Sequence, residues 1–123
     1  FNNMKTTAIT TFMVLIIFSF ACTKKTTTPT TYDCTGITPT YTTDIKPLMD
    51  QHCATSGCHS ASNKADGKDL STYTTTKSIA SNNSFLGSIQ HLSGYDAMPQ
   101  GASKLSEANI KTISCWVQNS MPQ

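Results

Sequence analysis

Apolar residues recur at helical spacing in three stretches of the chain, and no stretch alternates like a β-strand. The first predicted helix covers 44–53, DIKPLMDQHC, and Thr43 is predicted to cap its N-terminus. Pro47 falls in its first turn, where the missing N–H of proline costs nothing. A weaker helical pattern covers 74–80. The pattern predicts an all-α domain over 41–121.

Two further helices are predicted in the C-terminal half. One begins at Ser84 and runs through SFLGSIQHLSG, with Gly94 as its C-terminal stop. The other begins at Ser106. Leu105 before this cap and Ile110 inside the helix have the spacing of a hydrophobic staple, which favours a well-defined N-terminus.

The N-terminal stretch is predicted to be a signal peptide. Met4 and Lys5 precede about fourteen mostly apolar residues, AITTFMVLIIFSFA. Such a run is short for a membrane span and has the usual length of a secretory signal. We therefore expect 1–21 to be removed, with 1–3 lying upstream of the true start. A retained membrane helix is the alternative.

The residues at the end of this signal resemble the lipobox of bacterial lipoproteins. Ala21 directly precedes Cys22 in FSFAC, and polar residues follow. In such proteins the cysteine receives a diacylglyceryl group and becomes the mature N-terminus, and multiple acyl chains give lasting membrane attachment. Ordinary signal cleavage, which leaves a free thiol at Cys22, is the alternative.

Composition separates a tether from a folded domain. Eleven of the twenty-two residues from Cys22 to Thr43 are threonine. So polar a stretch buries too little surface to offset its ordering entropy, and 22–40 is therefore predicted to be a tether. The domain over 41–121 has few large apolar residues for its length. It is expected to need a disulfide, a metal or a large apolar cofactor.

Charge and cysteine content narrow the class of protein. From Tyr41 onward six Lys balance six acidic residues, and the chain contains no Arg, so nothing favours nucleic-acid binding. The chain has five cysteines. Unpaired thiols tend to be oxidised outside the cytoplasm, so each cysteine of an exported protein needs a partner or a ligand.

The segment 53–59, CATSGCH, places two thiols and an imidazole close together. Covalent haem attachment uses two cysteines and a histidine directly after the second, most often as C-x-x-C-H. Here four small residues separate Cys53 from Cys58, and they can loop out while both thiols reach one porphyrin. His59 would then reach the iron from the same segment.

Other interpretations of this segment remain open. The two cysteines could form a local disulfide, which an exported chain permits. They could bind zinc together with His59, with His52 or His91 as the fourth ligand. A third alternative is that His59 is an ordinary surface residue.

A methionine in an irregular polar loop supplies a further candidate ligand. Residues 94–105 read GYDAMPQGASKL, so Met98 has no apolar run around it. Thioether ligation of haem iron explains a methionine in this position, and Pro99 would stiffen the loop. Zinc has little use for a thioether. A methionine that merely packs on the domain is the alternative.

Taken together, DIKPLMDQHCATSGCHS and HLSGYDAMPQGASKLSEANIKTISCWV resemble a small class I cytochrome c domain. More narrowly, they resemble the exported monohaem lipoprotein cytochromes of Bacteroidetes-type bacteria, which have an expanded C-x-x-x-x-C-H motif, a Met-Pro loop and a closing helix in this order. The resemblance covers 41–117. It implies an all-α fold wrapped around one covalent haem c, held by four residues: thioethers at Cys53 and Cys58, and iron ligands His59 and Met98.

The resemblance also implies a function and a location. A protein whose two axial iron ligands are His59 and Met98 would be an electron carrier and not an enzyme. Its partners would be redox donor and acceptor proteins, with the membrane reached through the N-terminal lipid and no nucleic acid. It would lie in the cell envelope facing the periplasm, with the outer membrane favoured over the inner. Trp116 would pack near the haem edge.

Alternatives to this function stay open. One is a haem subunit or small-ligand-binding haem protein of an oxidase or peroxidase system, and another is a haem-free lipoprotein held by disulfides or zinc. His91 competes with Met98 as the distal ligand, although a position outside the apolar set of its helix favours an exposed role or one near the haem propionates.

Cys34 and Cys115 remain once the other three cysteines are assigned. Cys115 lies about 140° around its helix from Ile110, away from the haem-facing side. Cys34 lies where the tether meets the domain. A disulfide between them is expected, and closing a loop of about eighty residues would contribute roughly 4 kcal/mol in the chain-entropy model.

Overall fold

The computed structural model describes residues 26–123, and this part of the chain is helical, with no β-strand among its residues. In chain order the elements are a π-helical turn Tyr41–Ile45, which continues into α1 (Lys46–His52), a 3-10 turn Ala65–Gly67, α2 (Tyr73–Ala80), α3 (Asn83–Ile89) and α4 (Glu107–Gln118). The all-α class is confirmed for 26–123. No helix in that range has the length and apolar character needed to cross a membrane. The predicted signal peptide and Cys22 lie outside the described residues.

The first helical segment begins earlier than predicted because Thr40, and not Thr43, caps it. The Thr40 hydroxyl accepts the N–H of Thr43 at 3.4 Å, and the Asp44 carboxylate accepts the N–H of Thr40 at 2.8 Å. This reciprocal pair resembles a capping box whose acidic residue stands one position late. The opening turn is π-helical, with the Ile45 N–H bonded to the Thr40 carbonyl, and its wider turn accounts for the offset.

The helix predicted from Ser84 begins at Asn83 and ends at Ile89, well before the predicted stop at Gly94. His91 adopts the left-handed conformation, with φ of 53°, that glycine usually supplies at this position. The N–H groups of His91 and Leu92 bond back to carbonyls of α3 at 3.1 and 3.0 Å, which is the Schellman pattern. A histidine in this role carries no sequence signal, so the stop was placed wrongly.

The other two helices agree with their predictions. The Ser106 side chain caps α4 by accepting the N–H of Asn109 at 3.2 Å. Leu105 and Ile110 are both buried, as a hydrophobic staple requires. The weak pattern over 74–80 is the helix α2, which begins one residue earlier and is capped by Thr72.

The core lies where the π-helical turn and α1 meet α4. Its fully buried apolar side chains are Ile45, Met49, Ile110, Ile113 and Trp116. The Trp116 ring packs against Tyr41 with 6.0 Å between centroids, and its Nε1 donates to the Pro122 carbonyl at 2.8 Å. The C-terminal residues therefore close over the indole.

Residues 26–40, which we call the strap, lie along this helical domain. The predicted disulfide is present: Cys34 is bonded to Cys115 of α4, with 5.5 Å between Cα atoms. Cys115 is fully buried, as expected of a thiol covered by the strap. On the same side, the Asn119 amide donates to the Ile37 carbonyl at 2.9 Å. The strap is therefore covalently fastened to the terminal helix.

The strap also makes polar contacts nearer its start. The Tyr32 hydroxyl donates to the Glu107 carboxylate, and burial together with this bond raises the pKa of Tyr32 to about 12. The Thr27 N–H donates to the Ser93 carbonyl at 3.0 Å. The tether predicted over 22–40 thus touches the domain throughout its described part, despite its threonine-rich composition.

Candidate functional site

A cavity of about 490 Å³ opens between the segment that follows α1, the helix α3 and the loop that follows α3. Its apolar wall consists of Leu70, Ile79, Phe85 and Ile89. The cavity is also lined by all four residues predicted to hold a haem, namely Cys53, Cys58, His59 and Met98. Residues from two separate motifs are therefore brought to one place.

The expanded loop between the two cysteines is closed by backbone bonds. Cys53 ends α1, with its N–H bonded to the Met49 carbonyl at 2.9 Å, and its own carbonyl accepts the N–H of His59 at 3.0 Å. Gly57 has a φ of +80°, which favours glycine, and the Asn63 side chain accepts its N–H at 2.9 Å. The four intervening residues thus loop out while the backbone of Cys53 and His59 stays joined.

The two thiols of this loop are free and differ in exposure. Cys53 is buried and Cys58 is exposed. Burial raises the pKa of the Cys53 thiol to about 11, and the neighbouring Cys58 adds to this effect. Cys53 is therefore protonated at neutral pH. The sulfurs of Cys53 and Cys58 are not bonded to each other, so the local disulfide considered above is not present.

The zinc alternative finds no site in the described part of the chain. Across residues 26–123, no three side chains of the His, Cys, Asp or Glu type are grouped so that they could hold a metal ion. The thiols of Cys53 and Cys58 and the ring of His59 share the cavity wall without forming such a group.

The backbone fixes the tautomer of His59. Its Nδ1 lies 3.1 Å from the Ala65 carbonyl and 3.3 Å from the Lys68 carbonyl. Carbonyl oxygens only accept, so Nδ1 carries a proton, and the neutral form of the ring has its lone pair on Nε2. Metal-binding histidines are commonly oriented in this way. The backbone of His59 is held as well, since its carbonyl accepts the N–H of Leu70 at 2.8 Å.

Met98 is held by its backbone at the end of α3. Its N–H donates to the Ser88 carbonyl at 3.0 Å, and its carbonyl accepts from His91 Nε2 at 2.9 Å. The Met98–Pro99 peptide bond is cis. The Met98 side chain is half-buried and lines the cavity, whereas His91 does not. His91, the rival candidate for the distal ligand, thus uses its ring to hold the Met98 backbone. Apart from His59, the histidine that lines the cavity is His52.

The charged residues that line the cavity are Asp66, Lys68 and Asp96. Lys68 is paired with Asp66, and this hydrogen bond lowers the pKa of the Asp66 carboxyl. The Asp66 carboxyl is therefore ionised at neutral pH. Asp66 and Lys68 lie in the segment whose carbonyls hold His59.

Sequence reasoning missed one close contact at the cavity. A Cβ added at Gly87 would lie 2.4 Å from Tyr95 Cδ2, so the tyrosine that lines the cavity rests directly on this glycine. A glycine inside a helical pattern was the available signal. Trp116, expected near the haem edge, lies instead in the core against Tyr41 and away from the cavity wall.

The donor set and the wall fit a covalently bound haem. The cavity volume of about 490 Å³ lies within the range of roughly 300–1,000 Å³ typical of cofactor pockets. It offers two free thiols, an imidazole and a thioether, next to an apolar wall. No protein-family model, curated protein or solved structure matches this chain.

Proposed function

We propose that this protein is an exported, lipid-anchored, monohaem c-type cytochrome that carries electrons. The observation that carries the proposal is the meeting of Cys53, Cys58, His59 and Met98 around one cavity. The two thiols and His59 come from one motif and Met98 from another, and all four line the same cavity.

Each residue has a defined part in the proposal. Cys53 and Cys58 would form the two thioether bonds, and His59 Nε2 and the Met98 sulfur would be the axial ligands. The bound haem supplies one-electron chemistry. The chain holds it, keeps water away with the apolar wall, and fills both axial positions. A site filled in this way leaves no position for a substrate, which favours a carrier over an enzyme.

The anchor belongs to the same proposal. Cys22 would carry the lipid, and the domain would exchange electrons with donor and acceptor proteins at the periplasmic face of a membrane. Cys22→Ser should move the protein out of the membrane fraction or leave it uncleaved. Recovery of a wild-type N-terminus without acyl mass would show ordinary secretion instead.

Covalent attachment is the direct test of the haem site. The protein is expressed with a c-type maturation system, denatured and extracted with acidified organic solvent. We expect the haem to stay with the polypeptide, since thioether bonds survive this treatment. Cys53→Ala and Cys58→Ala should each leave one thioether, and the double variant should release all of its haem.

A second double variant provides the matched control. Cys34→Ser with Cys115→Ala also removes two cysteines, but neither lines the cavity. It should keep its haem through the same extraction. Wild-type protein that carries no haem, or releases it intact, would overturn the proposed function.

A further inference from the structure

The strap is fastened to the turn that follows α3 as well as to α4. The Gln90 side chain accepts the N–H of Thr30 at 2.7 Å and donates to the Thr30 carbonyl at 3.1 Å. Three residues before Thr30 in the strap, the Thr27 N–H donates to the Ser93 carbonyl at 3.0 Å. Next to it, a Cβ added at Gly94 would lie 2.7 Å from the Thr26 Cα, so the two backbones are in direct contact. The strap therefore lies against residues 90–94.

The same turn holds Met98. His91 follows Gln90 directly, and its Nε2 donates to the Met98 carbonyl at 2.9 Å. Ser88 accepts the Met98 N–H at 3.0 Å. Both backbone groups of Met98 are thus bonded to residues within two positions of Gln90. A displacement of this turn would displace Met98.

We infer that Gln90 is a positioning residue, which fixes Met98 at the cavity wall by fastening the strap to the turn at 90–94. The inference rests on the proposed function in so far as Met98 binds iron. The coupling between the strap and the turn does not depend on haem.

Gln90 and its hydrogen-bond partner Thr30 differ in exposure to solvent. Gln90 is 7% exposed, so its amide is removed from water and satisfied by the strap backbone. Thr30 is exposed, so its backbone groups could hydrate if Gln90 were lost. The bidentate bond can therefore be removed from the Gln90 side without leaving a buried polar group behind.

Three variants separate the positioning of Met98 by Gln90 from a general fastening of the strap. Gln90→Met keeps the length of the side chain and removes both bonds to Thr30. Asn119→Ala is the matched control, because Asn119 also holds a strap carbonyl by its side-chain amide, but at the end of α4. Thr30→Pro removes one bond from the strap side without touching α3, and serves if Gln90→Met fails to fold.

Two readouts are measured on the haem-loaded protein. Amide hydrogen exchange of residues 91–98 should be faster in Gln90→Met by roughly ten- to thirty-fold, the factor that two net hydrogen bonds represent. The weak sulfur-to-iron band near the red edge of the visible spectrum should lose intensity in the oxidised state. Both readouts should stay at wild-type values in Asn119→Ala.

The outcomes are distinct. Unchanged exchange in both Gln90→Met and Thr30→Pro would overturn the inference, as would equal acceleration in Asn119→Ala. Faster exchange with an unchanged band would also refute the positioning of Met98. If wild-type protein carries no haem, the proposed function fails, and the exchange comparison still decides whether Gln90 couples the strap to the turn.

Discussion

Met98 is the residue on which the electron-carrier proposal depends most, because ordinary packing can also place a methionine in a cavity wall. Met98→Leu keeps the bulk and removes the sulfur. We expect it to abolish the weak red-edge band of the oxidised protein and to lower the reduction potential. Met121→Leu, at a partly buried methionine outside the cavity, should change neither. A wild-type protein that lacks the band, and whose haem spectrum changes in His91→Ala but not in Met98→Leu, would assign the iron to His91.

Cys53 gives a pH-dependent prediction for chain prepared without haem. Burial raises the pKa of its thiol from 9.0 to about 11, so the folded state holds this proton more tightly than the unfolded state. The contribution of this proton to the free energy of unfolding is complete below pH 9.0 and is lost as pH rises towards about 11. Over this window the free energy of unfolding should fall by about 2–3 kcal/mol more than in Cys53→Ala.

The measurement is urea denaturation at several alkaline pH values, with Cys53→Ala as the control. If the free energy of unfolding falls equally steeply with pH in the two proteins, the pH dependence does not come from the Cys53 thiol. Haem-loaded protein should also lack this dependence, because a thioether sulfur does not titrate.

The residues proposed to carry chemistry were singled out in the sequence by side-chain type and spacing, and residues that act through the backbone were not. The CATSGCH segment identified Cys53, Cys58 and His59 by their side-chain types and spacing, and the structure places all three at one cavity. His91 and Gln90 act through carbonyl groups of distant residues. Any hydrogen-bonding side chain could do this, so no residue type indicates the role.

Among the elements, the start of the first helical segment offers a direct test of capping. Thr40→Ala should lower the free energy of unfolding by about 1 kcal/mol, since it removes the acceptor for the Thr43 N–H. Thr43→Ala is the matched control. Thr43 is exposed and contributes only its N–H to the cap, so this change should stay within about 0.5 kcal/mol of wild type. The opposite ranking in chemical denaturation would restore Thr43 as the cap.

The helices were predictable where packing imposes a period, and their ends were predictable only where a usual cap residue stands. Ser106 and the Leu105–Ile110 pair marked the start of α4 correctly. The end of α3 was missed because His91, and no glycine, adopts the left-handed conformation there. The period of the apolar residues indicates which face of a helix is buried, and it does not indicate the residue at which the helix ends.

Across the whole molecule, the Cys34–Cys115 bond joins residues 81 positions apart. Its removal in Cys34→Ser with Cys115→Ala should lower the free energy of unfolding by about 4 kcal/mol in the chain-entropy model. The haem bands should stay in place, because Gln90 still holds the strap at Thr30. Chemical denaturation and the visible spectrum check the two parts. Mass spectrometry that finds both thiols free in exported wild-type protein would refute the pairing.

The course of the strap could not be predicted as a whole. Threonine-rich composition indicated a chain with little to bury, and the described part indeed uses backbone bonds rather than apolar contacts at Thr27 and Thr30. Backbone groups are the same in every residue, so composition does not show where they will dock. The disulfide was predictable because cysteines are few and the others had assigned uses.

The order of fastenings along the strap has a mechanical consequence. A pull on the chain before Thr26 first loads the hydrogen bonds at Thr27 and Thr30 and then the bond of Tyr32 to Glu107, and it reaches Cys34 only after all of these have broken. Hydrogen bonds rupture under forces that a disulfide withstands, so detachment would stop at Cys34. Tension would thus free the turn at 90–94 before the force passes through Cys34 and Cys115 into α4 and the core. In the proposed lipid-anchored protein, tension on the tether would therefore loosen the hold on Met98 before the domain unfolds.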